Sequence, residues 1–152
     1  MIQRIQTLYL TLALLMMGFL IALPMGEIAV DGKIYSFSVN GIVDSLTGQT
    51  VNSAWYLILF LVVIILLQIL IIFFYKKRVW QMKIAILNIF LMLGFLLVGW
   101  IFLTSSAKSL GNGVSSFNMA FVFPIISMIL NYLAFTHIRR DENLVKSIDR
   151  IR

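Results

Sequence analysis

Four groups of side chains in this sequence are of types that do chemistry, and their spacing decides what each can do. Gln68, Asn88 and Asn131 are polar amides inside long apolar runs. Glu27, Asp31 and Asp44 fall in one polar segment, without the tight alternation of a calcium loop. His137 is the sole histidine, and the serines between residues 105 and 116 lie far from it in the chain. A lone histidine with no second His and no Cys makes neither a metal centre nor a hydrolase triad. The acids read as solvated surface carboxylates. The expectation is a protein without a cofactor and without a catalytic constellation, hence not an enzyme.

Composition explains why so little chemistry is on offer. Of 152 residues, 61% are hydrophobic and 12% charged, against roughly 45–50% and about 25% in soluble domains. The charge is absent from whole windows, as in a polytopic membrane protein. Cysteine is absent, which excludes disulfides, thiol redox chemistry and thiolate-held metals.

Four uncharged apolar runs are each long enough to cross a hydrocarbon core, which takes ~20 helical residues. They cover residues 8–25, 55–75, 84–103 and 119–138. The first could be taken for a signal peptide, since Arg4 precedes it. Its length exceeds the usual h-region of about 7–15 residues and no clean cleavage site follows, so an uncleaved helix is expected. The runs are continuous rather than alternating, which favours helices over barrel strands. The predicted fold class is an all-α membrane protein of four transmembrane helices, a single integral membrane domain over residues 1–152.

Ten of the twelve Lys and Arg residues fall on one side of these spans. Arg4 precedes the first; Lys76, Lys77, Arg78 and Lys83 join the second and third; Arg139, Arg140, Lys146, Arg150 and Arg152 follow the fourth. Lys33 and Lys108 are alone on the other side. The positive-inside rule then puts both termini in the cytoplasm of a bacterial inner membrane, with Lys76, Lys77, Arg78, Arg139 and Arg140 as topology anchors. The net charge of +6 is a topology signal and does not call for nucleic acid.

The segment from about residue 27 to 51 is predicted to fold outside the membrane. Asp31-Gly32 separates "EIAV" from "KIYSFSV", a hairpin signal. Tyr35, Phe37 and Val39 alternate with serines, and Asn40-Gly41 leads to a short third strand near Ile42–Val43. The expectation is a hairpin or three-stranded sheet resting on the helix ends, since an isolated hairpin is marginal in water. The second outer segment, "TSSAKSLGNGVSSFN", reads as a flexible connector.

The tail, residues 139–152, reads as a cytoplasmic amphipathic helix that either continues the fourth span or bends onto the membrane. Leu144, Val145, Ile148 and Ile151 form its apolar stripe, and Glu142 and Lys146 make an i,i+4 pair. That stripe is the candidate contact face.

No span contains Asp, Glu, Lys or Arg, so a proton relay of the usual carboxylate kind has no place here. The amides remain. Gln68 and Asn131 each lie seven residues from the inner end of their spans and Asn88 four, with Thr11 and Ser127 also within spans. These depths agree within about one helical turn at ~1.5 Å per residue. One hydrogen-bonded cluster joining helices is expected, most simply as structural glue. Pro124 is expected to start or kink the fourth helix, and Gly94 or Gly99 to admit a close helix approach.

The opening "MIQRIQTLYL" and the closing "IRRDENLVKSIDRIR", with four spans between them, resemble a family of small Bacteroidota membrane proteins, domain of unknown function 4293. The resemblance spans essentially the whole chain. It implies an inner-membrane four-helix architecture and brings no activity or functional residues with it. In shape alone the layout is similar to claudin-like proteins, whose loop cysteine pair is missing here. The functional expectation is a non-enzymatic accessory or scaffolding subunit that contacts membrane lipids and a protein partner or its own copies. The alternative is a small oligomeric channel or transporter lined by Gln68, Asn88 and Asn131.

Overall fold

The computed structural model describes residues 2–30, 32–111 and 113–149, with the side chains of residues 2–4, 76 and 145–149 not described. Four helices and five strands follow in the order α1 (Ile2–Phe19), β1 (Gly26–Val30), β2 (Lys33–Ser38), β3 (Gly41–Asp44), β4 (Thr50–Ser53), α2 (Trp55–Phe73), α3 (Arg78–Ser109), β5 (Val114–Phe117) and α4 (Phe123–Asp149). Short 3₁₀ turns, Phe74–Lys76 and Met119–Val122, precede α3 and α4. Three helical segments, Trp55–Phe73, Arg78–Ser109 and Met119–Leu144, are long and apolar enough to cross a membrane, and Ile5–Phe19 is a shorter apolar helix.

The helices pack cyclically, α1 on α2, α2 on α3, α3 on α4 and α4 back on α1. What each turns inward follows a strict alternation of four and three residues. Buried positions are Gln6, Leu10, Ala13 and Met17 on α1, and Leu57, Leu61, Ile64, Gln68 and Ile71 on α2. On α3 they include Gln81, Ala85, Asn88, Met92, Phe95, Gly99, Phe102 and Ser106. On α4 they run Pro124, Ser127, Asn131, Ala134, Ile138 and Asp141. A period of about 3.5 residues is the seam of helices that cross at a shallow angle with knobs set into holes. Gly94 on α3 lets the Phe60 ring of α2 come close, since a Cβ there would lie 3.3 Å from it.

All five strands form one antiparallel sheet in the order β4-β3-β2-β1-β5. The β1–β2 hairpin closes where the residue pattern puts it: Val30 faces Lys33 across it, and Gly32 has φ +77°. Gly41 opens β3 at φ +126° with its Cα side pressed on the Asn52 and Ser53 backbone, space that no side chain can share. The alternation of β2 sends Phe37 into the core. There it meets the Phe102 ring of α3 at 5.7 Å between centroids. Ile28, Val39 and Ile42 join Leu57, Leu61, Phe95 and Leu103 in the same apolar core, so the sheet caps one end of the helices.

The structure departs from expectation in three places. The sheet has five strands rather than two or three, because β4 closes on β3 and β5 adds to β1 with Gly26 opposite Phe117. "VSSF" is therefore a strand and not a flexible connector. The first helix covers Ile2–Phe19 instead of 8–25. After Phe19 the chain turns, with the Ile21 and Ala22 amides donating to Gly18 and Phe19 carbonyls, and Pro24 cannot continue a helix. Met25 already donates to the Phe37 carbonyl at 2.7 Å in sheet fashion. Of the two courses expected of the tail the helix takes the first, since α4 runs without a break from Phe123 to Asp149. Pro124 sits at its first turn, where its missing N–H costs nothing.

Candidate functional site

The polar side chains inside the helices form two bonded groups that together touch all four. Gln68 on α2 donates from Nε2 to the Leu10 carbonyl of α1 at 3.0 Å. Asn88 on α3 donates from Nδ2 to Gln68 Oε1 at 2.6 Å. Asn131 on α4 donates to the Ser127 carbonyl one turn earlier at 2.9 Å and approaches Met92 Sδ of α3 at 3.8 Å. Ser127 in turn donates from Oγ to the Ala13 carbonyl of α1 at 3.3 Å. Gln68, Asn88, Asn131 and Ser127 are all fully buried. Gln68 and Asn88 thus bond directly, while Asn131 bonds to neither and meets α3 at Met92, one turn beyond Asn88. Thr11 does not join: it is exposed and bonds back to the Thr7 carbonyl of its own helix.

The direction of these bonds is forced from the outside in. The Leu10 carbonyl can only accept, so Gln68 must present Nε2 to it and Oε1 to Asn88. Asn88 must then turn its NH₂ to Gln68, and its Oδ1 is left with no partner. The Ser127 carbonyl fixes Asn131 in the same way, and Asn131 Oδ1 is likewise unpaired. Each buried acceptor without a donor costs about 1–3 kcal/mol. An arrangement of amides and thioether with no titrating group can bridge helices or solvate a small polar guest; it cannot transfer protons by side-chain ionisation.

A second polar assembly lies at the helix ends opposite the sheet, and nothing in the residue pattern pointed to it as a unit. Gln6 of α1 donates from Nε2 to Asp141 Oδ2 of α4 at 2.8 Å, and both residues are buried. Gln81 of α3 donates to the Ile71 carbonyl of α2 at 2.9 Å. These are inward positions of the same four-and-three alternation, which is the signal that would have found them. The bond joins the opening stretch to the tail, the two parts of the sequence that carry the family resemblance.

The remaining candidates distribute as follows. Lys77, Arg139 and Arg140 are exposed and Arg78 is half-buried, all at the end opposite the sheet; the Lys76 side chain lies outside the described residues. In the tail stripe Leu144 is exposed, and the side chains of Val145 and Ile148, with Ile151, lie outside the described residues. The His137 ring rests against Tyr9, 5.9 Å between centroids. Among the described residues no three of His, Cys, Asp and Glu gather as a metal site would require. Glu27 Oε1 accepts from Asn118 at 3.2 Å, tying β1 to the start of the 3₁₀ turn before α4. Asp44 Oδ1 accepts from the Leu46 amide at 2.8 Å. Its carboxyl is held below the usual carboxylate range, first by that bond, with smaller help from Thr47 and Lys33 against the opposing effect of burial.

No curated protein matches this chain. The family model described as Domain of unknown function (DUF4293) matches residues 2–151, and the chain belongs to that family.

Proposed function

We propose that the chain is a four-span inner-membrane protein with both termini in the cytoplasm, acting as a non-enzymatic accessory or scaffolding subunit whose sheet is the contact surface. The observation that carries the reading is a row of exposed apolar side chains in register across three strands. Ile34, Ala29 and Val114 stand opposite one another on β2, β1 and β5, on the face turned away from buried Ile28 and Phe37. Ile34 is 51% and Val114 76% exposed. A β-sheet at a helix end, outside any span, gains by covering such a row with another protein surface. Four spans are supported by length: the eighteen residues of α1 rise ~27 Å at ~1.5 Å per residue, close to a ~30 Å hydrocarbon core. The cytoplasmic placement of the termini is supported by the basic residues at the end opposite the sheet.

Photo-crosslinkers placed at Ile34 and Val114 in native membranes test the reading. A discrete crosslinked species, with a partner polypeptide or a second copy, is the expected result. A chain that is monomeric in mild detergent and captures nothing in membranes sinks it. The polar core favours a second reading, an oligomeric channel or transporter. Replacing Gln68, Asn88 and Asn131 together by Leu abolishes a measured flux on that reading, and alters only stability on the first.

A further inference from the structure

At the end opposite the sheet, the start of α1 and the α2–α3 turn enclose a cleft of about 90 Å³, lined by Gln6, Thr7, Tyr75, Arg78 and Gln81. It is far below the roughly 300–1,000 Å³ of a drug-sized site and has room for a group of phosphate size. Two of its walls are built rather than incidental. Gln6 is 8% and Gln81 5% exposed, and each amide is fixed by a bond to a different helix, Gln6 to Asp141 and Gln81 to the Ile71 carbonyl. Each keeps a second amide N–H beyond those bonds. Among the described residues Arg78 is the one charged side chain in the lining, and Asp141, engaged by Gln6, is not part of it. On the same turn of α3 but away from the cleft's lining, Trp80 is 59% exposed, with Lys83 Nζ 5.5 Å from its ring centroid. An exposed Trp next to cations is the side-chain pattern of a membrane–water interface.

We propose that this cleft binds the phosphate of a membrane phospholipid headgroup. The guanidinium fork of Arg78 takes two phosphate oxygens, a geometry that Lys cannot reproduce. The remaining N–H groups of Gln6 and Gln81 border the same anion. The bound lipid clamps α1 to the α2–α3 turn. The inference rests on the membrane reading above, which puts this end of the helices at headgroup depth.

The test uses the full chain, extracted in mild detergent and observed by native mass spectrometry. One phospholipid per chain is expected to survive extraction. Arg78→Gln lowers its occupancy about tenfold, as loss of a charge-assisted fork implies. Arg139→Gln, which removes an exposed cation at the same end, leaves it unchanged. Equal loss in both variants overturns the site in favour of diffuse surface charge. Millimolar inorganic phosphate is expected not to displace the lipid; displacement shows a free-anion site and overturns the lipid assignment. If Arg78→Gln does not fold, Arg78→Lys replaces it, and unchanged occupancy there overturns the fork. A chain that stays soluble without detergent defeats the membrane reading itself, an outcome distinct from a membrane-bound chain that retains no lipid.

Discussion

The two halves of this molecule hold together by different physics. Toward the sheet, the inward positions are Met17, Leu20, Leu57, Leu61, Phe95 and Phe102, and the sheet adds Ile28, Phe37 and Ile42 to one continuous apolar core. Toward the other end the apolar cluster shrinks to Leu10, Ile71, Ala85 and Ala134. The inward positions there are taken by Gln68, Asn88, Asn131, Gln81, Gln6 and Asp141. The first half gains from volume and area, which are non-directional. The second gains from bonds that work in one geometry only. Within hydrocarbon, helices win little by trading lipid contacts for one another's apolar side chains, so small residues and hydrogen bonds must select the neighbours. At the sheet, where the chain meets water on the proposed placement, apolar burial regains its full force.

This contrast predicts that the largest single loss lies in the apolar half. Phe37 is fully buried and anchors the sheet on Phe102. Phe37→Ala should cost about 3–5 kcal/mol and loosen all five strands, read as a lowered unfolding midpoint in detergent. An unchanged midpoint would mean that the sheet is held by its ladder alone and that the contrast is false. In the polar half the expected losses are smaller and depend on what is left behind. Asn88→Leu strips Gln68 Oε1 of its donor, and Gln6→Leu does the same to Asp141 Oδ2; each should cost about 1–3 kcal/mol. Combining Asn88→Leu with Gln68→Leu should then cost less than the two singles added, because no acceptor in that pair is stranded. Strict additivity would show that the Asn88–Gln68 bond carries no coupling.

The same difference decides what could be read before the fold was known. The hairpin was visible because Asp31-Gly32 is a local signal, and β2 because Phe37 and Val39 alternate with serines. β5 was not, since "VSSF" becomes a strand only by pairing with Gly26–Ala29, far away in sequence and without a mark in its own composition. The end of α1 was misplaced because Leu20 to Met25 are as apolar as the helix they leave. For α2 to α4 the inward seam was hidden for an opposite reason. Where nearly every residue is apolar, hydrophobicity has no period, and only the small and polar residues carry one. Gln81, Ala85, Asn88 and Met92 on α3, or Ser127, Asn131 and Ala134 on α4, hold the four-and-three spacing in plain view. The partners of these amides were beyond reach, because Leu10 and Ile71 contribute backbone carbonyls that no side-chain pattern announces.

Asn131 sharpens the comparison by running against it. Its Nδ2 bonds within its own helix and its Oδ1 has no donor. Asn131→Leu removes an unpaired acceptor and takes a donor from the Ser127 carbonyl, which retains its ordinary helical role, and from the weak acceptor Met92 Sδ. The change should fall within about 1 kcal/mol of neutral, in either direction. A loss as large as that of Asn88→Leu would mean that Asn131 Oδ1 is engaged by a bound polar guest, and would move the polar core from glue toward a ligand site.

The smallest effect belongs to the sheet's exposed turn after Asp44, and pH reaches it without mutation. Asp44 accepts from the Leu46 amide at 2.8 Å, and its own carbonyl accepts from Gly48. Because its carboxyl is held below the usual carboxylate range in the folded chain, the stabilisation is complete above the unfolded value, roughly pH 4. It is lost as pH falls through the lower, folded value. The turn that follows Asp44, residues 45–49, is exposed, so the loss is local: amide exchange at Leu46 should quicken on acidification while exchange at Phe37 and Ile42 holds. Asp44→Asn keeps the acceptor and removes the titration, so its exchange should be flat across the same range. If acid instead released Phe37 and Ile42 together with Leu46, the turn would be part of the same cooperative unit as the apolar core. The sheet would then owe its place to the turn's directional bonds as well as to what Phe37 buries.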